Sequence, residues 1–191
     1  VQAMNIDLLS MSAHKFHGAK GVGVLYARRG CVPEAYMDGG EQEYHHRAGT
    51  ENVAGIVGAA AAFAEALGER GHKAARLAQM RDEIQAGLLK IPGAVVNGAN
   101  AARLPGTLNM SFPGVDGQSL IFALDSNGIA ASSGSACASG SISPSHVLLA
   151  LGLPYSLAHG SLRISLGRYN TSDEANTVIQ TVTRVITEMR A

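Results

Sequence analysis

The sequence predicts an α/β protein, and three observations carry that expectation. Short runs at 6–11, 22–26, 107–112 and 161–166 have the length and apolar content of strands. Longer stretches at 51–67, 72–90 and from 172 onward carry apolar residues at helical spacing. Hydrophobic residues make up 46% of the 191 positions and charged residues 16%, enough for a sizeable core.

Composition narrows the function classes. Fifteen basic and 15 acidic residues give a formal net charge of +0. That balance argues against a nucleic-acid surface or a polybasic membrane patch. The longest apolar stretches are too short, or too rich in Gly and Ala, for a membrane span. No signal-peptide pattern opens the sequence. Two cysteines, Cys31 and Cys137, make no disulfide framework, which leads to the expectation of a reducing cytoplasm. The sequence starts at Val1, directly before a buried-looking segment, as a piece of something longer would.

Taken in order, residues 1–30 read as strand, Gly-rich turn, strand. Ser12-Ala13-His14-Lys15 stands at the first strand's end, and Gly18, Gly21 and Gly23 punctuate the connection. A lysine there is placed for carbonyl chemistry: burial disfavours its ammonium form, and the neutral amine can form a Schiff base. Ser12 and His14 flank it as donors to an anion. The plain alternative is a solvated lysine in a turn. Cys31, in the turn before Pro33, reads as a small hydrophobic filler. Residues 38–50 form a polar loop whose Glu43, His45 and His46 match no strong metal-ligand spacing, so no metal is expected. Thr50 precedes a helical run over 51–67, where it either caps the helix or holds a phosphate at the helix N-terminus.

A break at 68–71, read as a domain junction, leads to an amphipathic stretch with Leu77, Met80, Ile84 and Leu88 on one stripe. Val95 and Val96 are a short strand, and 107–112 alternates. Residues 117–127 read as a helix through Leu120, Ile121 and Leu124. Next, 129–141 starts as a strand and becomes a run of Gly, Ala and Ser around Cys137, for which a mobile loop is expected. Ser143 and Pro144 then read as the N-cap and first position of a helix with Val147, Leu148 and Leu151 on its apolar face. In 161–166, Leu162, Ile164 and Leu166 share one face, and Ser161, Arg163 and Ser165 the other. A mid-strand arginine between serines can grip a carboxylate bidentately, or serve as an ordinary salt bridge on a solvated face. Thr171-Ser172-Asp173-Glu174 is a capping box ahead of a terminal amphipathic helix.

Four segments together resemble the cysteine desulfurases, pyridoxal-phosphate enzymes of the aspartate-aminotransferase-like fold (fold type I). They are Ser-Ala-His-Lys-Phe-His-Gly-Ala-Lys-Gly at 12–21, Arg-Ala-Gly-Thr-Glu-Asn at 47–52, Ser-Ser-Gly-Ser-Ala-Cys-Ala-Ser-Gly at 132–140, and Ala-His-Gly-Ser-Leu-Arg-Ile-Ser-Leu-Gly-Arg at 158–168. Leu104-Pro105-Gly106-Thr107 and Pro154-Tyr155 are similar to the nitrogen-fixation subtype. Family members are roughly twice this length, and the lysine falls near their middle. The resemblance therefore covers a C-terminal half: the end of the large cofactor domain over 1–68, then a small α+β domain over 69–191 that carries the cysteine loop.

The resemblance implies the following roles. Lys15 is the Schiff-base lysine and the base that moves the substrate α-proton. Ser12 and His14 contact the cofactor or its phosphate. Thr50 contacts the phosphate in the partner subunit of a homodimer. Cys137 is the nucleophile that keeps a persulfide, and Arg163 clamps the carboxylate of L-cysteine. The product is alanine, and the sulfur goes to an iron–sulfur scaffold protein. The histidine stacked on the cofactor ring and the aspartate paired with its nitrogen come from the other half of the family's length. Ala19 stands where the family often has proline. A selenocysteine lyase-type relative stays open, as does a non-catalytic docking domain for a sulfur acceptor.

Overall fold

The computed structural model describes residues 1–31, 33–134 and 143–191. They divide into two compact units, Val1–Arg70 and Gly71–Ala191.

In the first unit, strands β1 (Leu8–Ser12) and β2 (Gly23–Ala27) pair antiparallel, from Leu8 opposite Ala27 to Ser12 opposite Gly23. A 3₁₀ turn over Ala13–Phe16 links them and stops at His17, whose φ of 69° is left-handed. The Ala13 N–H donates to the Val22 carbonyl at 3.0 Å, and the Gly18 N–H to the Ala13 carbonyl at 2.9 Å. Gly18 is required here, because a Cβ on it would lie 2.9 Å from the Ala13 Cβ. Helix α1 (Val53–Gly68) packs on this turn, with the Phe16 and Phe63 rings edge to face at 5.5 Å. Its cap is Asn52, whose side chain accepts from the Gly55 N–H at 3.1 Å. This corrects the cap expected at Thr50: asparagine is the stronger cap and stands directly before the first helical residue. Cys31 is exposed rather than a buried filler, with Sγ 3.8 Å from Asp7 Oδ1.

The second unit is a helix-covered sheet. Helix α2 spans Arg70–Leu88, strand β3 Val95–Val96, strand β4 Thr107–Ser111 and helix α3 Gly117–Asp125. Two short helices follow, α4 (His146–Ala150) and α5 (Tyr155–His159), then strand β5 (Ser161–Ser165) and helix α6 (Ser172–Arg190). The sheet order is β3-β4-β5, antiparallel throughout. Strand alternation puts Leu108, Met110, Leu162 and Ile164 on one face. There they join Met80, Ile84 and Leu88 of α2, Leu120 and Leu124 of α3, and Val182, Val185 and Ile186 of α6 in one core. The capping box is present: Thr171 accepts from the Glu174 N–H at 3.3 Å, and Glu174 accepts from the Thr171 N–H at 2.9 Å.

Two local expectations are corrected. α4 starts later than expected, with Ser145 at its N-cap and Pro144 outside it, and only Leu148 of its apolar residues is buried. The strand expected at 129 shrinks to one bridge, Ser132 to Arg163. No helix among the described residues is long and apolar enough to cross a membrane.

Candidate active site

Lys15, His14 and Ser12 share one end of the β1–β2 hairpin. Ser12 is the last residue of β1, and His14 and Lys15 lie in the 3₁₀ turn that follows. Ala13 between them is fully buried and anchors the turn, while the three polar side chains are exposed. The exposure of Lys15 means that the described residues do not supply the burial expected to keep its amine neutral. Thr50 lies in the same unit, two residues before the cap of α1, and is exposed.

The loop ahead of Thr50 is strained. Glu43, Tyr44 and His45 hold φ values of 49°, 55° and 65°, three successive non-glycine residues in the left-handed region. Each costs on the order of 1 kcal/mol. Tyr36 N–H to His46 carbonyl at 2.9 Å, Ala48 N–H to Met37 carbonyl at 3.1 Å, and Gly49 N–H to Gln42 Oε1 at 3.1 Å hold the segment closed.

Arg163 stands in β5 of the second unit, on the face opposite the core. The register puts Thr107 opposite Ser165, Asn109 opposite Arg163, and Ser111 opposite Ser161 on that face. The face is not uniformly solvated: Ser111 is fully buried and Ser161 nearly so, while Ser165 is exposed. Arg163 is partly buried, and its Nε is buried with no hydrogen-bond partner. Among the described residues, none forms a hydrogen bond to this nitrogen. The backbone of Ser132 bridges to Arg163 on the free edge of β5, and Ser161 Oγ donates to the Ser133 carbonyl at 3.2 Å. The stretch leading to Cys137 is therefore tied to the sheet beside the arginine. Cys137 itself lies outside the described residues, as does the loop expected around it.

Two features of this unit escaped the sequence. Asn97 continues β3 and donates through Nδ2 to Asn109 Oδ1 at 2.6 Å and to Ser111 Oγ at 2.8 Å. The paired asparagines are 12 residues apart, and only the strand register, which no local pattern encodes, shows them to be neighbours. Asp116 caps α3 by accepting from the Ser119 N–H at 2.7 Å, and its other oxygen lies 3.3 Å from His159 Nδ1. Hydrogen bonds from Ser119, with a smaller contribution from the His159 charge, hold the Asp116 carboxyl below its ordinary value.

The exposed lysine thus stands on the hairpin of the first unit, and the arginine with its unpartnered Nε on the antiparallel sheet of the second. The chain belongs to the class-V aminotransferase family, whose model matches residues 1–178. It is 46% identical over 190 residues to the cysteine desulfurase IscS of Methanosarcina thermophila, covering 100% of this chain and 47% of that one. It is 45% identical over 187 residues to the cysteine desulfurase NifS of Azotobacter vinelandii, covering 97% of this chain and 46% of that one. Among solved structures, a NifS-like protein superposes with a TM-score of 0.87 at 36% identity, covering 98% of this chain and 48% of that one. The fold is thus the mixed α/β fold of NifS-like, fold type I proteins, and the chain spans about half the length of the relatives it matches.

Proposed function

We propose that the whole protein is a pyridoxal-phosphate-dependent cysteine desulfurase, and that this chain carries its lysine, its nucleophile and its carboxylate clamp. The observation that carries the reading is at the sheet edge. A buried, unpartnered arginine nitrogen lies where Ser132 joins β5, and the cysteine-bearing stretch runs on from that residue. A partly buried guanidinium without a counter-ion is costly unless an anion completes it.

The donor set fits the cofactor that the family implies. A lysine amine suits its carbonyl, and the hydroxyls of Ser12 and Thr50 with the imidazole of His14 suit its phosphate. Pyridoxal phosphate, when bound, supplies the electron sink for charge released at the substrate α-carbon. Lys15 Nζ anchors that group covalently and moves the α-proton. Arg163 forks onto the L-cysteine carboxylate and fixes the substrate's orientation. The Cys137 thiolate attacks the substrate sulfur. A bond forms between the two sulfurs, the carbon–sulfur bond breaks, and its electron pair stays with the carbon fragment, which takes up a proton and leaves as alanine. The persulfide left on Cys137 passes to an iron–sulfur scaffold protein. In this reading residues 1–68 complete a cofactor domain and 69–191 form the small domain. Thr50 serves the partner subunit of a homodimer, and the protein works in the cytoplasm.

The test follows the sulfur. With pyridoxal phosphate and L-cysteine, the whole protein should release alanine and gain one sulfur on Cys137, seen by peptide mass. Cys137→Ser should stop the sulfur gain while leaving the cofactor bound. Sulfide release by that variant at the wild-type rate would contradict the assignment.

A further inference from the structure

The polar face of the sheet holds a row that runs across it. Asn97 pairs with Asn109 through the backbone, its N–H donating to the Asn109 carbonyl at 2.9 Å. Asn109 pairs with Arg163, and Arg163 with Ser132. Side chains directly opposite on one face of an antiparallel pair stand about 5 Å apart at Cβ. The Asn109 and Arg163 side chains therefore leave the sheet side by side. They are not bonded to one another, and Arg163 Nε is left unpartnered.

Asn97 explains how the Asn109 amide is aimed. Asn97 is 6% exposed, and its Oδ1 is buried with no partner. A buried amide with an orphaned oxygen costs stability, so what its nitrogen does matters. That nitrogen donates to Asn109 Oδ1 at 2.6 Å. The bond occupies the acceptor side of Asn109 and leaves its Nδ2 donor turned away from Asn97. Arg163 stands on the strand opposite to β3 across Asn109. Asn109, with its Nδ2 donor, and Arg163, with a buried Nε that has no partner, thus stand opposite one another on a partly buried face.

We propose that Asn109 is a specificity-determining residue of the substrate site, its Nδ2 donating to the same carboxylate that Arg163 clamps, in an orientation locked by Asn97. This rests on the reading of Arg163 given above. A carboxylate has two oxygens and about four acceptor positions. One oxygen can take the Asn109 donor while the guanidinium takes the remainder. A ligand without a carboxylate offers no anion at this point and gains nothing from Asn109.

The experiment compares Asn109→Ala, Asn109→Asp and Arg163→Lys in the whole protein loaded with pyridoxal phosphate. The readouts are KM and kcat for L-cysteine, and inhibition by L-alanine and by L-alaninamide, which lacks the carboxylate. Asn109→Asp keeps the volume and the acceptor that Asn97 bonds, but turns an anion toward Arg163. It keeps the question answerable if the alanine variant does not fold. Both Asn109 variants should raise KM about tenfold, with kcat changed by less than about threefold, since one hydrogen bond to a charged group is lost in binding. L-Alanine inhibition should weaken by the same factor, and L-alaninamide inhibition should hold. An unaltered KM in Asn109→Asp beside a raised KM in Arg163→Lys overturns the proposal and leaves the arginine assignment standing. Unaltered KM in all variants overturns both. Equal weakening of alanine and alaninamide also overturns it, because the effect would then not be read through the carboxylate.

Discussion

Asp116 shows what a single side chain can be asked to do. It caps α3 and accepts from Ser119, and those bonds lower its pKa below the ordinary 3.8. A group whose folded pKa is depressed contributes stability that is complete above its unfolded pKa and lost as pH falls through the folded value. Replacing Asp116 by Ala should cost about 1 kcal/mol at neutral pH. In denaturant melts the gap to wild type should shrink once the pH is taken below 3.8, and a constant gap across that range would contradict the capping account. The residue scale is also where the sequence spoke most unevenly. The alternation of 161–166 announced that Arg163 and its serines share a face, because strand period is local information. Whether that face was solvated was not announced. Ser111 and Ser161 are buried by segments distant in the chain, and burial of that kind leaves no local periodicity. Lys15 shows the opposite case: its turn was legible from the glycines, yet its expected burial is absent from the described residues.

At the scale of elements, most strands and helices follow from period and caps. The α6 capping box stands where the turn chemistry put it, and Gly152, with φ of 83°, follows the end of α4. The departures have physical causes. Thr50 lost the cap of α1 to Asn52, which is the stronger cap and stands directly before the first helical residue. Of the described residues in the stretch from 129, Ser132 is the one that bridges to β5. How closely elements meet is invisible in sequence, and Gly117 is the plainest example. A Cβ there would lie 2.5 Å from the His159 carbonyl oxygen and 3.1 Å from that of Ser161. These are backbone atoms at the end of α5 and the start of β5, which cannot swing aside. Gly117→Ala should therefore lower stability by about 1–3 kcal/mol through overpacking. A melting temperature equal to wild type would show that α3 can move away from β5 freely.

For the whole molecule, burial is distributed very unevenly. The core cluster lies entirely within the second unit, from Met80 to Ile186. In the first unit Ala13, Ala48 and Ala59 are the buried apolar residues among those described, while Ile56, Val57, Phe63 and Leu67 of α1 are exposed. A two-stranded hairpin with one helix is marginal by itself. A polypeptide of residues 71–191 should unfold cooperatively, and one of residues 1–70 should show no cooperative transition by circular dichroism. A sharp transition in the shorter piece would mean that α1 and the hairpin stabilise one another more than their burial suggests. The family resemblance foresaw a chain of about half the family's length, and the relatives agree on that span. Composition and period alone offered only an α/β chain with a large core.

The central claim is that Lys15 is the anchor of carbonyl-cofactor chemistry in this protein. The direct measurement is to add pyridoxal phosphate to the whole protein, reduce with borohydride, and map the labelled peptide. The account predicts one label, on Lys15, lost in Lys15→Ala and retained in Cys137→Ser. A label on another lysine, or none on a folded protein, would contradict it.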